Sequence, residues 1–290
     1  MKDSFGKDLD SMNISVINEN NYNYKYNLNK ETSDIGKSDI LSIEQIEKIV
    51  QAAVKLGFSK FNLTGGEPLL RKDLAKLTKK IVAIEGVEEV NLFTNGALLT
   101  DQAKDLKEAG LNKVYVSFDS MRNNRFKDIT GGGDMDDVIA GINAATGANL
   151  KPVGINVVVM KDFNDDEILD YVQLTFQHEV SISFIEFMPV GNYAGATQDA
   201  YVSNDEIKAK LTALRKVEAE GQAIEVFKYP GARGTIRFIN KSYYEQTTNI
   251  ELTPAGLIKV NSSQGVDLKT SLEADQEDGL LETLKHAVLQ

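Results

Sequence analysis

Four short runs of this sequence combine residue types that could handle a small ligand. Thr64-Gly65-Gly66-Glu67-Pro68 offers two glycines, which let a backbone approach a ligand closely, and a carboxylate able to accept from an ammonium group. Thr94-Asn95-Gly96 and Ser117-Phe118-Asp119-Ser120 carry small polar side chains, and Glu186-Phe187-Met188-Pro189 adds an acid and a methionine. Read singly, each run serves equally as a tight turn, a helix cap or core filler. Position links them: each ends a short apolar strand, and the chain after it turns to a helical period.

That placement rests on a repeating unit. The strands are MNISVI, KFNLT, EEVNLFT, NKVYVSF, KPVGINVVVM and SISFIEF. The first helix opens with a capping box at Ser42 and Gln45, carries apolar residues at Ile46, Ile49, Val50 and Val54, and closes at Gly57. Further helices are predicted from about Lys72 to Ile84, from Asp101 to Gly110, around 135–146, and over DDEILDYVQLTF. Strict alternation of this kind means parallel pairing with right-handed crossovers, so the expectation is an α/β chain folded as a partial parallel (β/α)6 barrel. In such a barrel the strand ends and the loops after them share one rim, where the four runs would converge.

Residues 18–38, rich in Asn, Tyr, Lys and Ser, read as a long loop. Beyond Pro189 the pattern changes to a helix from Ser203 to about Leu214, with Glu206 completing a second capping box. Short antiparallel strands follow at EVFKYP, TIRFI, NIELT and LIKVN, then an acidic surface loop, SLEADQEDG, and a terminal helix from Leu280 to Leu289. The expected division is a barrel over 1–200 and a small C-terminal antiparallel β module over 201–290.

Composition narrows the chemistry. A formal net charge of −11 without a basic, aromatic-laced patch argues against a nucleic-acid partner. No apolar run has a membrane-spanning length, and the start MKDSFGKDLD has no targeting character, so no membrane association and a cytoplasmic location are expected. The chain has no cysteine, which removes disulfides, thiolate nucleophiles and thiolate-held metals together. The acids Asp134, Asp136 and Asp137, and Asp165, Asp166 and Glu167, stand at helix starts, where they favour the macrodipole, and no metal site is assigned to them. His178 and His286 read as surface residues.

The runs LTGGEPLLRKDL, FTNGALLT, LKEAGLNKVYVSFDS, FKDITGG, INVVVMKDFNDDEI and FIEFMPVGNY, in this order and spacing, resemble the GTP 3′,8-cyclase family, the molybdenum cofactor biosynthesis protein A group of radical S-adenosylmethionine enzymes. DSFGKDL near the start and VDLKTSL near residue 270 extend the resemblance nearly end to end. It implies a [4Fe–4S] cluster that cleaves S-adenosylmethionine to a radical acting on GTP. On the S-adenosylmethionine side, the matching residues are Gly65, Gly66, Glu67, Thr94, Ser117, Asn156 and Met188.

The departures fall elsewhere. Asn20, Tyr24 and Asn27 stand at the places of the three N-terminal cluster cysteines, and Tyr244, Thr247 and Asn261 at those of the C-terminal cluster. None replaces a thiolate on iron, so both clusters are expected to be absent. Asn13, Asn62, Gly154, Ser183, Asn249 and Glu251 stand where the resemblance calls for Arg or Lys around GTP. Each such loss forfeits a charge-assisted phosphate bond of roughly 1.5–3 kcal/mol, so GTP is not expected to bind. The resemblance also implies a C-terminal tail ending in two glycines, and a shortened member lacking it is expected.

The resulting expectation is a catalytically inactive, cluster-free homologue that retains weak S-adenosylmethionine or nucleoside binding. Two other readings stay open: an active GTP 3′,8-cyclase, and a structural subunit. For partners, the resemblance implies a homodimer or a heterodimer with an intact, cysteine-bearing paralogue. The matched turns would also shape the βα loops for folding alone.

Overall fold

Alternation gives the first six strands two unlike faces. Their residue ranges are β1 (Ser11–Ser15), β2 (Lys60–Thr64), β3 (Glu89–Thr94), β4 (Lys113–Ser117), β5 (Val153–Val159) and β6 (Val180–Glu186). Met12, Ile14, Phe61, Leu63, Val90, Leu92, Val114 and Val116 point one way and are fully buried. They pack under the helices α1 (Ile43–Lys55), α2 (Leu74–Val82), α3 (Leu99–Glu108), α4 (Asn123–Thr130), α5 (Met135–Gly147) and α6 (Ile168–Gln177). Each large apolar side chain buried in this way contributes roughly 1.5–3 kcal/mol, which makes the helix-covered face the main source of stability. The computed structural model describes residues 9–25, 40–187, 200–220, 224–245, 247–261, 265–273 and 277–289.

The helix starts follow the sequence signals. At α1 the Ser42 side chain accepts from the Gln45 N–H at 3.2 Å, and the Gln45 side chain returns the bond to the Ser42 N–H at 2.8 Å. Gly57, at a φ of 99°, ends the element. Ser203 accepts from the Glu206 N–H and so caps α7, which is half of the expected capping box, and α7 covers only Asn204–Ala209.

The remaining elements are β7 (Arg215–Glu220), β8 (Ile224–Lys228), β9 (Thr235–Ile239), α8 (Lys241–Glu245), β10 (Ile250–Leu252), β11 (Leu257–Val260), β12 (Val266–Asp267), α9 (Lys269–Glu273) and α10 (Glu277–Leu289). One twelve-stranded sheet runs β12-β11-β10-β1-β2-β3-β4-β5-β6-β9-β8-β7. Its centre is the expected parallel (β/α)6 unit, and the C-terminal antiparallel strands divide between its two edges. β9 joins β6 in parallel and carries β8 and β7, while β10 joins β1 in parallel and carries β11 and β12.

Several elements differ from the sequence expectation, α8 and β12 among them. α4 forms from the polar run NNRFKDIT because Phe126, Ile129 and Thr130 bury one side of it. β7 forms from RKVEAE, a charged edge whose Lys216 pairs with Glu225 on β8 at 2.9 Å. The acidic stretch expected as a loop contributes instead to the end of α9 and the start of α10.

Candidate functional site at the rim and inner face of the sheet

The turn after β2 is built around backbone contact. Gly65 holds a φ of 142°, and a Cβ there would stand 2.3 Å from the Ile17 carbonyl oxygen; one on Gly66 would stand 2.1 Å from that of Glu19. The Gly66 N–H donates to the Ile17 carbonyl at 2.8 Å, and the Glu67 N–H to the Glu19 carbonyl at 2.7 Å. Both glycines are thus required by the chain segment lying on them.

Glu67 is 1% exposed. Its carboxylate accepts from the Thr94 hydroxyl at 2.6 Å, the Asn95 N–H at 2.8 Å and the Leu69 N–H at 3.0 Å, tying the ends of β2 and β3 together. Burial nevertheless pushes its pKa above the usual carboxylate range, outweighing those three donors. Thr94 also accepts from the Gly96 N–H, so its hydroxyl both donates and accepts within the turn.

The segment after β1 crosses this rim. The Asn20 amide donates to the Gly66 carbonyl at 3.1 Å and accepts from the Tyr22 N–H at 2.9 Å. The Asn95 amide donates to the Asn21 side chain at 2.7 Å. Farther on, the N–H groups of Asn23 and Lys25 donate to the carbonyls of Thr130 and Ile129, each at 2.9 Å, and Lys25 pairs with Asp128. The Tyr22 ring stands edge-on to Phe126 and Tyr24, with centroids at 6.0 and 5.8 Å, and lies so near Gly133 that a Cβ there would be 2.6 Å from it. Burial first, then Asp137 and Glu67, pushes the Tyr22 hydroxyl up to about 12; burial likewise lifts Tyr24 far above the phenol range.

Ser117, which ends β4, and its register partner Asn156, in the middle of β5, are half-exposed, and their side chains have no hydrogen-bond partner among the described residues. Among the matched residues with polar side chains, they are the two whose polar groups the fold does not use among the described residues. Met188 and Asn27 lie outside the described residues.

The sheet face opposite the helices carries most of the positions where the resemblance calls for basic residues. Register pairs Asn13 with Glu251 and with Asn62, and Asn62 with Asn91. Their amides join Asn249, Asn13, Asn62 and Asn91 through bonds of 2.7, 2.9 and 3.2 Å. Beside them the rings of Phe93 and Tyr115 stack at 4.7 Å, and Tyr115 fills the space over Gly154, where a Cβ would meet it at 2.3 Å. The buried Ser183 hydroxyl has no hydrogen-bond partner among the described residues. Lys60 and Lys113, at the other end of the strands, are paired with Asp10 and Glu89. At these positions the face offers amides, hydroxyls and ring faces where a triphosphate would need cations, although Arg237, in register with Ser183, and Lys259, in register with Glu251, share the face. Neither Asn91 nor the Phe93–Tyr115 stack was singled out from the sequence, though Asn followed by Ile or Leu recurs in MNIS, FNLT and VNLF.

The residues present do not fit an iron–sulfur cluster. The chain has no cysteine; Asn20 is an amide engaged in two hydrogen bonds, and Tyr24 a neutral phenol packed on Tyr22. At the C-terminal positions, Tyr244 lies in α8, Thr247 precedes β10, and Asn261 closes the β10–β11 hairpin by accepting from the Asn249 N–H at 3.0 Å. The acid groups also serve the fold. Asp134 caps α5, Asp166 pairs with Arg125 at 2.6 Å, and the fully buried Glu167 accepts from Ser120, the Met121 N–H and Arg125. Among the described residues no group of three or more His, Cys, Asp or Glu could hold a metal ion, and no helix is long and apolar enough to cross a membrane.

Comparison with known proteins points one way. Residues 22–175 match the radical SAM superfamily. The GTP 3′,8-cyclase of Thermodesulfovibrio yellowstonii is 40% identical over 286 residues, covering 94% of this chain and 88% of that protein. That of Alkaliphilus metalliredigens is 36% identical over 275 residues, covering 92% and 86%. Among solved structures, Streptococcus suis SuiB bound to S-adenosylmethionine superposes with a TM-score of 0.68 at 14% identity, over 92% of this chain and 64% of that one, a likeness of fold alone. By sequence and by fold, this chain belongs to the radical SAM superfamily and, within it, to the GTP 3′,8-cyclase family.

Proposed function

We propose that this chain is a cluster-free member of its family, without radical activity, that acts by binding. S-adenosylmethionine or a nucleoside would be held weakly at the rim, by Ser117 and Asn156 with the turns at Gly65, Gly66, Glu67 and Thr94 and with Met188 beyond; GTP would not be held. The observation that carries this reading is the donor set: no thiolate anywhere, and an amide row in place of cations on the inner face. A barrel part over 1–200 would supply the rim, and the part over 201–290 would extend the sheet.

Anaerobic reconstitution with iron and sulfide, followed by absorbance and iron analysis, tests the first half. A colourless, iron-free protein is expected; stoichiometric iron with turnover of GTP would establish an active cyclase instead. Calorimetry tests the second half, with weak heat expected from S-adenosylmethionine and none from GTP. Silence toward both would leave the structural-subunit reading.

A further inference from the structure

We infer that residues 16–25 form a strap that closes the rim in place of the metal-held loop of the family, and that a ligand at the rim must compete with it. The strap is anchored at successive stations around the mouth of the sheet. The Val16 N–H donates to the Thr64 carbonyl at 2.9 Å, and the Ile17 and Glu19 carbonyls receive the Gly66 and Glu67 N–H groups. Asn20 holds the Gly66 carbonyl, Asn21 holds Asn95, and Asn23 and Lys25 bond the end of α4. Tyr22 acts as the wedge, its ring set between Phe126, Tyr24 and Gly133.

The closure uses the groups that a rim ligand would need. Both the N–H and the carbonyl of Gly66 are spent on the strap, and the two glycines leave no gap beneath it. A molecule approaching this turn meets the backbone of residues 17–19 in its way, so binding requires the strap to lift. Where a cluster would fasten such a segment by covalent coordination, here it is fastened by hydrogen bonds and ring contacts that open and reclose. Competition of this sort lowers apparent affinity by the fraction of molecules with the strap open. The competition rests on the rim binding proposed above, whereas the closure does not.

Tyr22→Ala in the full-length chain tests both. Backbone hydrogen exchange of Gly66 and Glu67 should rise at least tenfold while the amides of β8 and β9 keep their rates, and affinity for S-adenosylmethionine should increase several-fold. Tyr22→Phe keeps the ring and removes only a hydroxyl that has no hydrogen-bond partner among the described residues, so it should match the parent. Should Tyr22→Ala instead unsettle the whole fold, Asn21→Ala, which loses one bond to Asn95, should show the same pattern more weakly. Unchanged exchange at Gly66 and Glu67 in both variants, or acceleration spread evenly into β8 and β9, overturns the strap. Faster exchange with unaltered affinity overturns the competition alone. Silence toward S-adenosylmethionine in every protein overturns the rim-binding reading, and the exchange pattern then judges the closure by itself.

Discussion

The rim after β2 and the inner face of the sheet stand differently toward the family whose pattern the chain matches. At the rim the residue types of the family are kept, and their groups are consumed by the fold: Glu67 by three donors, Gly66 by Ile17 and Asn20. On the inner face the expected cations are gone, and a row of amides with a stacked ring pair has replaced them. The contrast teaches that a matched motif is weak testimony to a retained ligand where the backbone itself needs those residues. A departed residue on a face that the backbone does not need is stronger testimony to a ligand lost.

Substitutions can break or sharpen that contrast. The largest effect should come from Gly66→Ala, whose Cβ would strike a backbone carbonyl: a loss above about 3 kcal/mol in urea unfolding, or no folded protein. Gly154→Ala on the inner face strikes the half-exposed Tyr115 ring rather than backbone and displaces it from its stack on Phe93, so a smaller cost of about 1–3 kcal/mol is expected. Equal costs at the two glycines would erase the distinction.

Next comes Glu67→Gln, which turns an amide N–H toward the Asn95 N–H and should cost about 1–3 kcal/mol. Its pH dependence has a definite sign. The folded-state pKa of Glu67 lies above the unfolded value of about 4.3, so the parent's stabilisation from this group is full below that value and is lost as pH rises through the folded one. Urea midpoints should therefore separate parent and variant most in acid and least near neutrality; a gap that widens toward neutral pH would show that the three donors outweigh burial.

Smaller still is Asn62→Leu, which interrupts the amide row at its centre and should cost about 1 kcal/mol. Asn249→Ala, at the row's exposed end, should stay within about 0.5 kcal/mol, measured in the same unfolding series.

Much of the fold was legible because it is local. Ser42 with Gln45, and Ser203 with Glu206, announce α1 and α7 within four residues, and the strand-helix alternation fixes the parallel core. α4 and β7 escaped because polar runs such as NNRFKDIT and RKVEAE take their structure from what they pack against. The candidate site was legible as a set of turns but not as a set of partners. That Glu67 is buried under Thr94 and Asn95 depends on residues 27 and 28 positions away, and the Asn13–Asn249 bond spans 236. Only the register of the strands brings such pairs together.

The three amide bonds of the inner face all run in one sense: Asn91 donates to Asn62, Asn62 to Asn13, and Asn13 to Asn249. Four side-chain dipoles are thereby aligned head to tail, each polarising the next. Turning one amide over would set like groups against each other at its junctions, so the row reverses as a unit or not at all. Its lone-pair end is the buried Asn91 Oδ1, which has no partner among the described residues, and its N–H end is the exposed Asn249. The face thus carries a standing polarity with no formal charge on the row itself, running from a buried lone-pair pole at Asn91 to an exposed N–H pole at Asn249.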